Sequence, residues 1–402
     1  MTLAIDGGKP VFEQPAQVPA WPPIYPETAE KLKEIYLSRK WSFYSPLEME
    51  FNERFAEYTG AAGCSMMANG TVTLEMAMVA LGIGPGDEVI VPAHTWIATG
   101  EAVVYLGATP VIVDIENDTL CMDPDRIEEA ITPKTKAIIP VHLFGSMADM
   151  DRIIAIAKKH GLAVIEDCAH AHGGEWDGHH VGTIGDVGSF SFQQSKTMAS
   201  GEGGACITKD AELNEKLGRL SHIGYPYAAK QGKANTPPQE GLICRNYRVT
   251  DFQAAILLDQ LKHLKEDTLL RAKNAEFLRK RLDAIPGIHM QSRGRKTTLQ
   301  SYYQFPLTLD PSVLRPGIDR QKVLEALVAE GVRIGVGWGA PMYRQRLWTV
   351  PKSMYRLVSC ANAERIVFNE LLMFDLTWLM LPQDDLERCC QAFEKVMAAY
   401  VK

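Results

Sequence analysis

Short apolar runs alternate with amphipathic stretches along the first two thirds of the chain. Strand-like apolar runs predict strands at residues 88–92, 109–113, 137–141, 162–166, 187–192 and 205–208. Helical periodicity predicts a helix at residues 151–160, directly before the strand at 162–166. An alternation of strands and helices is typical of an α/β fold with a largely parallel sheet, and this is the fold class we expect.

Two further helices are marked by their first residues. Ser45 suits the N-cap of a helix that reaches Gly60, Pro46 suits its first turn, and Glu48 stands at the capping-box position. A second helix is expected from Asn69 to about Leu81, where a glycine-rich turn follows.

The last part of the chain has a different pattern. Residues 225–247 mix Gly, Pro, Gln and Lys and predict a long irregular loop, which in a compact domain tends to be functional. A long helix is expected at 251–284, then a strand at 302–309 and a helix at 320–330. We therefore predict a large domain of residues 1–250 with an N-terminal arm (1–27), a connecting helix (251–285) and a small α+β domain (286–402).

Composition narrows the class of protein. The 402 residues are 46% hydrophobic and 23% charged, as in soluble globular proteins, and a net charge of -7 argues against a nucleic-acid-binding surface. No secretory signal and no bilayer-spanning apolar run is evident, so no membrane association is expected. Eight scattered cysteines without a CxxC pair indicate neither a disulfide framework nor a metal site, and a cytoplasmic protein is expected.

Lys196 is the first candidate for chemistry. It follows a predicted strand in which Phe190 and Phe192 alternate with small polar residues, and it precedes the glycine-rich segment 201–204. A lysine at a strand end beside such a loop is open to desolvation, which lowers its pKa and frees its amine to attack a carbonyl. Lys196 is therefore a candidate Schiff-base lysine, the alternative being a surface lysine in a turn.

Asp167 ends the apolar strand that begins at residue 162. Side chains at the carboxyl ends of strands in an open parallel sheet face the ligand crevice. An aspartate there suits the protonated ring nitrogen of pyridoxal 5'-phosphate, which needs such a partner to act as an electron sink. The alternative role is that of a helix N-cap, for which aspartate is also favoured.

Other residues fit the same cofactor. Gly70 and Thr71 open a predicted helix, where backbone N–H groups and a hydroxyl outline a phosphate site that Ser191 would complete. Trp96 follows a strand and suits stacking on a flat heteroaromatic ring, and His170 suits the phenolic oxygen of the cofactor. The alternatives are an ordinary helix cap, a strand serine, a half-buried core tryptophan and a packed histidine.

In this order the motifs resemble the DegT-type sugar aminotransferases, a family of fold type I pyridoxal phosphate enzymes, over nearly the whole chain. The resemblance implies a large domain with a mostly parallel, seven-stranded type of sheet and a smaller C-terminal domain. It implies that Lys196 forms the Schiff base and that Asp167 pairs with the pyridinium nitrogen. The remaining cofactor contacts that it implies are Trp96 on the ring and Gly70, Thr71 and Ser191 on the phosphate.

The segment Arg245-Asn246-Tyr247-Arg248 is similar to an Asn-Tyr-Arg segment of that family. In the family the asparagine reaches the cofactor phosphate of the neighbouring subunit. The resemblance therefore implies a homodimer with shared active sites, in which Asn246 belongs to the partner's site.

Two segments indicate a branch of the family. Cys168-Ala169-His170-Ala171-His172 and Gln193-Gln194 look more like aminocyclitol aminotransferases and 3-amino-5-hydroxybenzoate synthase than like enzymes of nucleotide-linked sugars, as does Pro19-Ala20-Trp21-Pro22. The implied reaction moves an amino group from L-glutamine or L-glutamate to the ketone of a polyhydroxylated ring, a keto-cyclitol such as scyllo-inosose or a keto-sugar.

Several alternatives remain beside this reaction. They are a nucleotide-linked keto-sugar aminotransferase, an aromatising lyase similar to 3-amino-5-hydroxybenzoate synthase, and a non-catalytic pyridoxal phosphate-binding regulator. Relatives that dehydrate deoxysugars replace the lysine with histidine, so Lys196 speaks against that chemistry. A nicotinamide dehydrogenase is excluded because no GxGxxG follows the first strand.

The substrate-binding residues are the least defined by the sequence. Tyr225 and Tyr227 in the long loop, and the segment 337–344 with Tyr343 and Arg344, offer hydroxyl, aromatic and cationic groups suited to a polyol or a carboxylate. Arg344 and Arg346 are candidates for the carboxylate of the amino donor. Each of these is equally suited to an ordinary loop or core position.

Overall fold

The computed structural model describes residues 2–14, 16–230, 232–233, 237–238 and 240–402. Its helices are α1 (Pro26–Ser38), α2 (Pro46–Thr59), α3 (Gly70–Ala80), α4 (Ala98–Tyr105), α5 (Ile127–Ala130), α6 (Met150–His160), α7 (Ala211–Ser221), α8 (Asp251–Leu282), α9 (Arg320–Ala329), α10 (Ala361–Asn369) and α11 (Gln383–Tyr400). Its strands are β1 (Gly63–Met67), β2 (Glu88–Pro92), β3 (Thr109–Val113), β4 (Thr135–Ile138), β5 (Ala163–Asp167), β6 (Glu175–Trp176), β7 (His179–His180), β8 (Val187–Ser191), β9 (Gly204–Thr208), β10 (Ile288–Met290), β11 (Thr297–Leu299), β12 (Gln304–Leu309), β13 (Arg356–Leu357) and β14 (Leu371–Asp375).

The large sheet confirms the predicted α/β class. Its strand order is β1-β9-β8-β5-β4-β2-β3-β13. Only β9 pairs antiparallel with its neighbours, and the other pairings are parallel. Two of these strands, β1 and β13, were not predicted from the sequence pattern. β13 comes from the C-terminal part of the chain, and its two residues are too few to show a periodicity.

The start of α3 confirms the predicted helix start at Asn69. The Asn69 side-chain oxygen accepts a hydrogen bond from the N–H of Val72 at 3.0 Å, so it caps the helix that begins at Gly70. The cap leaves the first N–H groups of the helix facing outward, which matters for the site described below.

The predicted capping box of α2 is wrong, although the helix itself is present. The Ser45 hydroxyl does not cap the helix but donates to the carboxylate of Asp251, the first residue of α8. Asp251 also accepts from the N–H of Glu48, at 3.3 Å, while the Glu48 carboxylate accepts from the N–H of Tyr44, at 2.9 Å. A side chain from a distant helix therefore does the capping that the local sequence was expected to do.

The long helix and the segments around it agree closely with the pattern. The helix expected at 251–284 is α8, and the helix expected at 320–330 is α9. The strand expected at 302–309 begins two residues late, because Tyr302 has a left-handed backbone with φ of 53°. The described part of the loop 225–247 contains no helix or strand, and residues 231, 234–236 and 239 of that prediction lie outside the described residues.

Two hydrophobic cores share α8, one along its N-terminal half and the other along its C-terminal half. The first packs around the large sheet and includes Leu257 and Leu264 of that helix. The second surrounds the antiparallel sheet β10-β12-β14 and includes Leu278 and Leu282. Leu3 packs in the second core, so the N-terminal arm joins the C-terminal part of the chain. The domain limits at 250 and 286 stay a prediction.

A third sheet, β11-β6-β7, joins a hairpin of the large unit to the segment before β12.

Among the described residues, none of the helices combines the length and the apolar character needed to cross a bilayer.

Parallel pairing determines where side chains of different strands meet. Asp167 ends β5, Ser191 ends β8, and Pro92 ends β2 shortly before Trp96. Because β2 and β5 run parallel on either side of β4, and β8 runs parallel to β5, their carboxyl ends lie at one edge of the sheet. The start of α3 packs against this edge through Ser191.

Candidate active site

A cavity of about 730 Å³ opens at this edge of the sheet. Its wall combines the carboxyl ends of the strands, the start of α3 and two segments from the C-terminal part of the chain. The predicted site residues that it brings together are Gly70, Thr71, Trp96, Asp167, His170, Ser191 and Lys196.

Lys196 reaches into the cavity as a half-buried side chain. Burial lowers the pKa of its amine to about 8, although the negative charge of Asp167 acts in the opposite direction. Its Nζ lies 4.7 Å from the centroid of the Tyr303 ring. A substantial fraction of the amine is therefore neutral near physiological pH, which is the state that attacks a carbonyl.

Asp167 is buried in the cavity wall and held by two donors. The N–H of Ala169 donates to one carboxylate oxygen at 3.1 Å, and the Thr99 hydroxyl donates to the other at 2.9 Å. Burial raises the pKa of the Asp167 carboxyl, and these hydrogen bonds together with the charge of Lys196 oppose that rise. The carboxylate is thus fixed in orientation with a cation in its surroundings.

Glu166 points to the opposite face of β5, as strand alternation requires. Its carboxylate accepts from the N–H groups of Gly182 at 2.9 Å, Ile184 at 2.8 Å and Gly185 at 2.7 Å, and lies 3.0 Å from Nε2 of His142. Burial alone would raise the pKa of Glu166, but these hydrogen bonds hold it below its ordinary value. Of two adjacent carboxylates, one anchors a turn and the other faces the cavity.

Gly70, Thr71 and Ser191 form a cradle at the start of α3. The N–H groups of the first two helical residues have no partner within the helix, and they lie at the positive end of its dipole. A Cβ on Gly70 would lie 2.6 Å from the Cβ of Ser191, so only glycine permits this close approach. Two N–H groups and two hydroxyls on one side of the cavity fit a phosphate group.

His170 presents a neutral ring to the cavity. Its Nδ1 accepts from the N–H of Phe144 at 3.3 Å, so the neutral ring carries its proton on Nε2. Burial lowers the pKa of His170 well below its ordinary value, and the charge of Lys196 lowers it further. The ring stacks on Tyr303 with centroids 4.3 Å apart. His170 is thus a neutral donor suited to an oxygen of a bound molecule.

Two tryptophans stand at the mouth of the cavity. Trp96 remains 41% exposed, and the centroid of Trp338 lies 6.0 Å from it. Trp338 belongs to the segment 337–344 in which the sequence indicated aromatic groups for a substrate. Both indoles line the cavity, and such rings suit contact with a flat or polyhydroxylated ring.

The cavity contains residues that the sequence did not single out. They include Thr95, Thr99, Ser195 and Tyr303. Tyr303 was counted as part of a predicted strand, but the left-handed backbone of Tyr302 interrupts the strand geometry directly before it. For Thr99, the sequence offered one signal, which was its position three residues after Trp96, a predicted cofactor contact.

The structure does not bring Tyr343 and Arg344 to the cavity wall. The Tyr343 hydroxyl donates to the Glu364 carboxylate at 2.9 Å, and Arg344 forms an ion pair with the same carboxylate, also at 2.9 Å. Glu364 satisfies both polar groups, which explains their orientation away from the cavity. A substrate role for these two residues stays a prediction that rests on the sequence alone.

Tyr225 and Asn246 also lie outside the wall of this cavity. The Tyr225 ring packs edge-on against Phe43 with centroids 4.9 Å apart. Asn246 is exposed on the loop that bridges to His222. An exposed asparagine remains free to contact a second subunit, as the resemblance implied.

One buried group has the atom types of a metal site. The donor atoms of His142, Glu166 and Cys168 lie within 4.8 Å of one another. The Glu166 oxygens already accept the hydrogen bonds from backbone N–H groups, and burial raises the pKa of the Cys168 thiol well above its ordinary value. The Glu166 oxygens are therefore already engaged and the Cys168 thiol keeps its proton, which does not favour metal binding at this group.

Comparison with known proteins identifies the family. The model of the DegT/DnrJ/EryC1/StrS aminotransferase family matches residues 23–394. The chain belongs to this family. The enzyme is 38% identical to an L-glutamine:2-deoxy-scyllo-inosose aminotransferase of Streptomyces kanamyceticus, with 98% of this chain and 96% of the relative covered. It is 41% identical to one of Streptoalloteichus tenebrarius, with 86% and 83% covered.

Solved structures agree with this assignment. The enzyme resembles 3-amino-5-hydroxybenzoic acid synthase with a TM-score of 0.85 at 29% identity, covering 96% of this chain and 100% of that one. It resembles an aminotransferase from Psychrobacter cryohalolentis with a TM-score of 0.86 at 30% identity, covering 95% and 99%. The predicted family and the predicted aminotransferase class are therefore confirmed.

Proposed function

We propose that the enzyme uses pyridoxal 5'-phosphate to transfer the amino group of L-glutamine to the ketone of a cyclitol. The observation that carries the proposal is the half-buried amine of Lys196, with a pKa of about 8, in a cavity that also contains Asp167 and the start of α3. The relatives named for L-glutamine and 2-deoxy-scyllo-inosose support the choice of donor and acceptor.

The residues of the cavity fit the cofactor. The cradle of Gly70, Thr71 and Ser191 suits its phosphate, and the fixed carboxylate of Asp167 suits its protonated ring nitrogen. Trp96 offers an indole face for its ring. When bound, the cofactor withdraws electrons from the carbon that carries the amino group.

The protein's own groups would carry out the proton transfers. Lys196 accepts the proton from Cα of the amino donor and later returns it, because a pKa of about 8 suits both directions near neutral pH. Asp167 keeps its negative charge against the ring nitrogen with the help of the Thr99 and Ala169 donors. His170 donates from Nε2 toward an oxygen in the cavity.

An aromatising synthase is the second candidate. The likeness to 3-amino-5-hydroxybenzoic acid synthase favours it, since that protein shares the fold over nearly the whole chain. Lower identity, 29% against 38–41% for the cyclitol aminotransferases, places it second. The two candidates differ in the acceptor and not in the use of Lys196.

The absorption spectrum of the purified enzyme tests the proposal. We expect visible absorption of a lysine-bound cofactor that L-glutamine bleaches, and subsequent addition of 2-deoxy-scyllo-inosose or scyllo-inosose should restore it with formation of the aminocyclitol. Lys196→Ala should lose both responses, whereas Lys209→Ala, at an exposed position, should keep them. Bleaching by L-glutamate alone would correct the donor, and absence of any bleaching by either amino acid would refute the aminotransferase assignment.

We further propose that the enzyme works in the cytoplasm as a homodimer with shared active sites, Asn246 completing the partner's site. All eight cysteines are free thiols, which suits a reducing compartment. Asn246 lies exposed on the loop after α7, where a second subunit has access to it.

A further inference from the structure

Tyr303 occupies a position that the reaction outlined above leaves unexplained. Its ring contacts both His170, the proposed hydrogen-bond donor, and Lys196, the proposed proton acceptor. Its ring stacks on His170 with centroids 4.3 Å apart and an interplanar angle of 28°, and Lys196 Nζ lies 4.7 Å from the ring centroid. A lysine amine within about 6 Å of an aromatic face is in range of a cation–π contact.

The ring is fixed by a hydrogen bond at its outer end. Its hydroxyl lies 2.9 Å from Oγ of Ser195, the residue before the lysine. Burial raises the pKa of the Tyr303 phenol, so the ring stays neutral at physiological pH and keeps its electron-rich faces. Tyr303 therefore contacts both the Lys196 side chain, through its ring, and the Ser195 side chain, through its hydroxyl.

Hydrogen bonds from α8 and to the His170 backbone hold the chain directly before Tyr303. Arg271 of α8 donates from Nε to the Ser301 carbonyl at 2.9 Å, and the Ser301 hydroxyl donates to the His170 carbonyl at 3.0 Å. Tyr302 is buried in the left-handed region, a conformation that persists only where surrounding contacts enforce it. These contacts direct the next side chain, Tyr303, into the cavity.

The geometry points to Tyr303 as a positioning residue for Lys196, whose ring face stabilises the protonated amine whenever that amine is not bound to the cofactor. The inference rests on the proposed role of Lys196 as the group that accepts and returns the proton. A protonated amine held on a ring face stays in the cavity instead of turning to solvent. Other groups that face Lys196 are Asp167 from β5, and His170 and His172 from the segment after it.

The pKa of Lys196 in the full-length protein, freed of bound small molecules, tests the inference. It can be measured by the rate of acetylation with acetic anhydride as a function of pH, read on the Lys196 peptide by mass spectrometry, with Lys209 as an exposed internal reference. Tyr303→Leu removes the ring and should lower the pKa of Lys196 by about 0.5–1 unit. Tyr303→Phe retains the ring and should leave the pKa unchanged.

A second variant without a ring, Tyr303→Met, guards against a folding defect of the leucine variant, because methionine adapts to irregular space. Thermal unfolding confirms that each variant tested is folded. An unchanged or raised pKa in a folded variant without the ring would overturn the inference, and so would a fall of equal size in Tyr303→Phe. A wild-type Lys196 with the pKa of an exposed lysine would instead contradict the proposed function, so the two failures are distinguishable.

Discussion

Two charged side chains define the chemistry that this site can support. Burial draws the pKa of Lys196 down and that of Asp167 up, so each moves toward its neutral form, and their mutual attraction limits both shifts. Thr99 and Ala169 add two hydrogen bonds that favour the charged carboxylate. Specific donors thus maintain the negative charge of Asp167 in a buried place. A buried charge costs free energy, and groups held charged in this way are concentrated at functional sites.

Replacement of Asp167 by asparagine isolates that charge. The asparagine oxygen can accept from the N–H of Ala169, while its amide group donates to the Thr99 hydroxyl, so the local structure should persist. We expect a fall in kcat of about 100-fold or more, because the ring nitrogen loses its anionic partner, with little loss of bound cofactor. Absorption spectra and steady-state kinetics with L-glutamine measure both, and Asp125→Asn, at an exposed position, is the matched control. Full activity would refute the assigned role.

The sequence predicted site residues that follow apolar strands or open a helix, whereas it missed Tyr303, which it placed within a strand. Lys196 and Asp167 follow apolar runs whose carboxyl ends meet at one edge of a parallel sheet, so their neighbourhood followed from the fold class. Tyr303 follows α8 in the sequence, and the direction of its side chain depends on the backbone of Tyr302 and on the hydrogen bond from Arg271. Contacts of that kind have no periodic signature.

Strand β5 shows how one short segment supports both stability and chemistry. Its last two residues point to opposite faces, so that Asp167 faces the cavity while Glu166 binds the turn at residues 182–185. That turn leads into β8, which carries Ser191. The anchor under the sheet therefore fixes the strand that contributes to the cradle above it.

Glu166→Gln tests this anchor. Each Glu166 oxygen serves two donors, Gly182 and His142 on one and Ile184 and Gly185 on the other. The amide of glutamine keeps only one acceptor oxygen, so the two donors on the other side face its N–H groups, and we expect a loss of about 1–3 kcal/mol in the free energy of unfolding. The folded pKa of Glu166 is lowered, so its contribution is complete above the ordinary glutamate pKa and is lost as pH falls through the lower folded value.

Urea unfolding of both proteins at several pH values measures the difference. It should be largest near pH 7 and should shrink below about pH 4. Glu57→Gln, on the exposed side of α2, is the control and should change stability little. Equal stability of wild type and Glu166→Gln at neutral pH would show that the carboxylate is not an anchor.

The start of α2 shows a limit of local sequence signals. Ser45, Pro46 and Glu48 satisfy the pattern for a capping box, and the helix does begin there. The donors are nevertheless satisfied by Asp251, which lies about two hundred residues away in the chain and opens α8. The pattern predicted the position of the helix correctly, but tertiary contacts selected the hydrogen-bond partners.

At the scale of the whole chain, an N-terminal segment packs in the second core and a C-terminal segment pairs with the large sheet. The N-terminal arm places Leu3 in the second core and then returns to the site, where the Trp21 indole donates to the Lys196 carbonyl at 2.9 Å. In the opposite direction, β13 leaves the C-terminal part and joins the large sheet beside β3. The active-site turn is thus linked to both cores, which a linear division into domains does not express.

Mixed dimers test whether two subunits share each site. If Lys196 of one subunit works with Asn246 of the other, a heterodimer of Lys196→Ala and Asn246→Ala has one doubly defective site and one intact site. Random exchange makes about half of the dimers mixed, so about a quarter of the wild-type activity should return from two nearly inactive parents.

The parents must first be mixed under conditions that exchange subunits, and the mixed species can be counted by native mass spectrometry with an affinity tag on one variant. Mixing Lys196→Ala with a Lys196→Ala protein of different tag should recover nothing, since every dimer then lacks the amine. Mixed dimers that form in the expected amount without recovered activity would mean that Asn246 serves its own subunit or no site at all. Recovery in proportion to the mixed dimers would require the exposed loop of one chain to complete the cavity of the other.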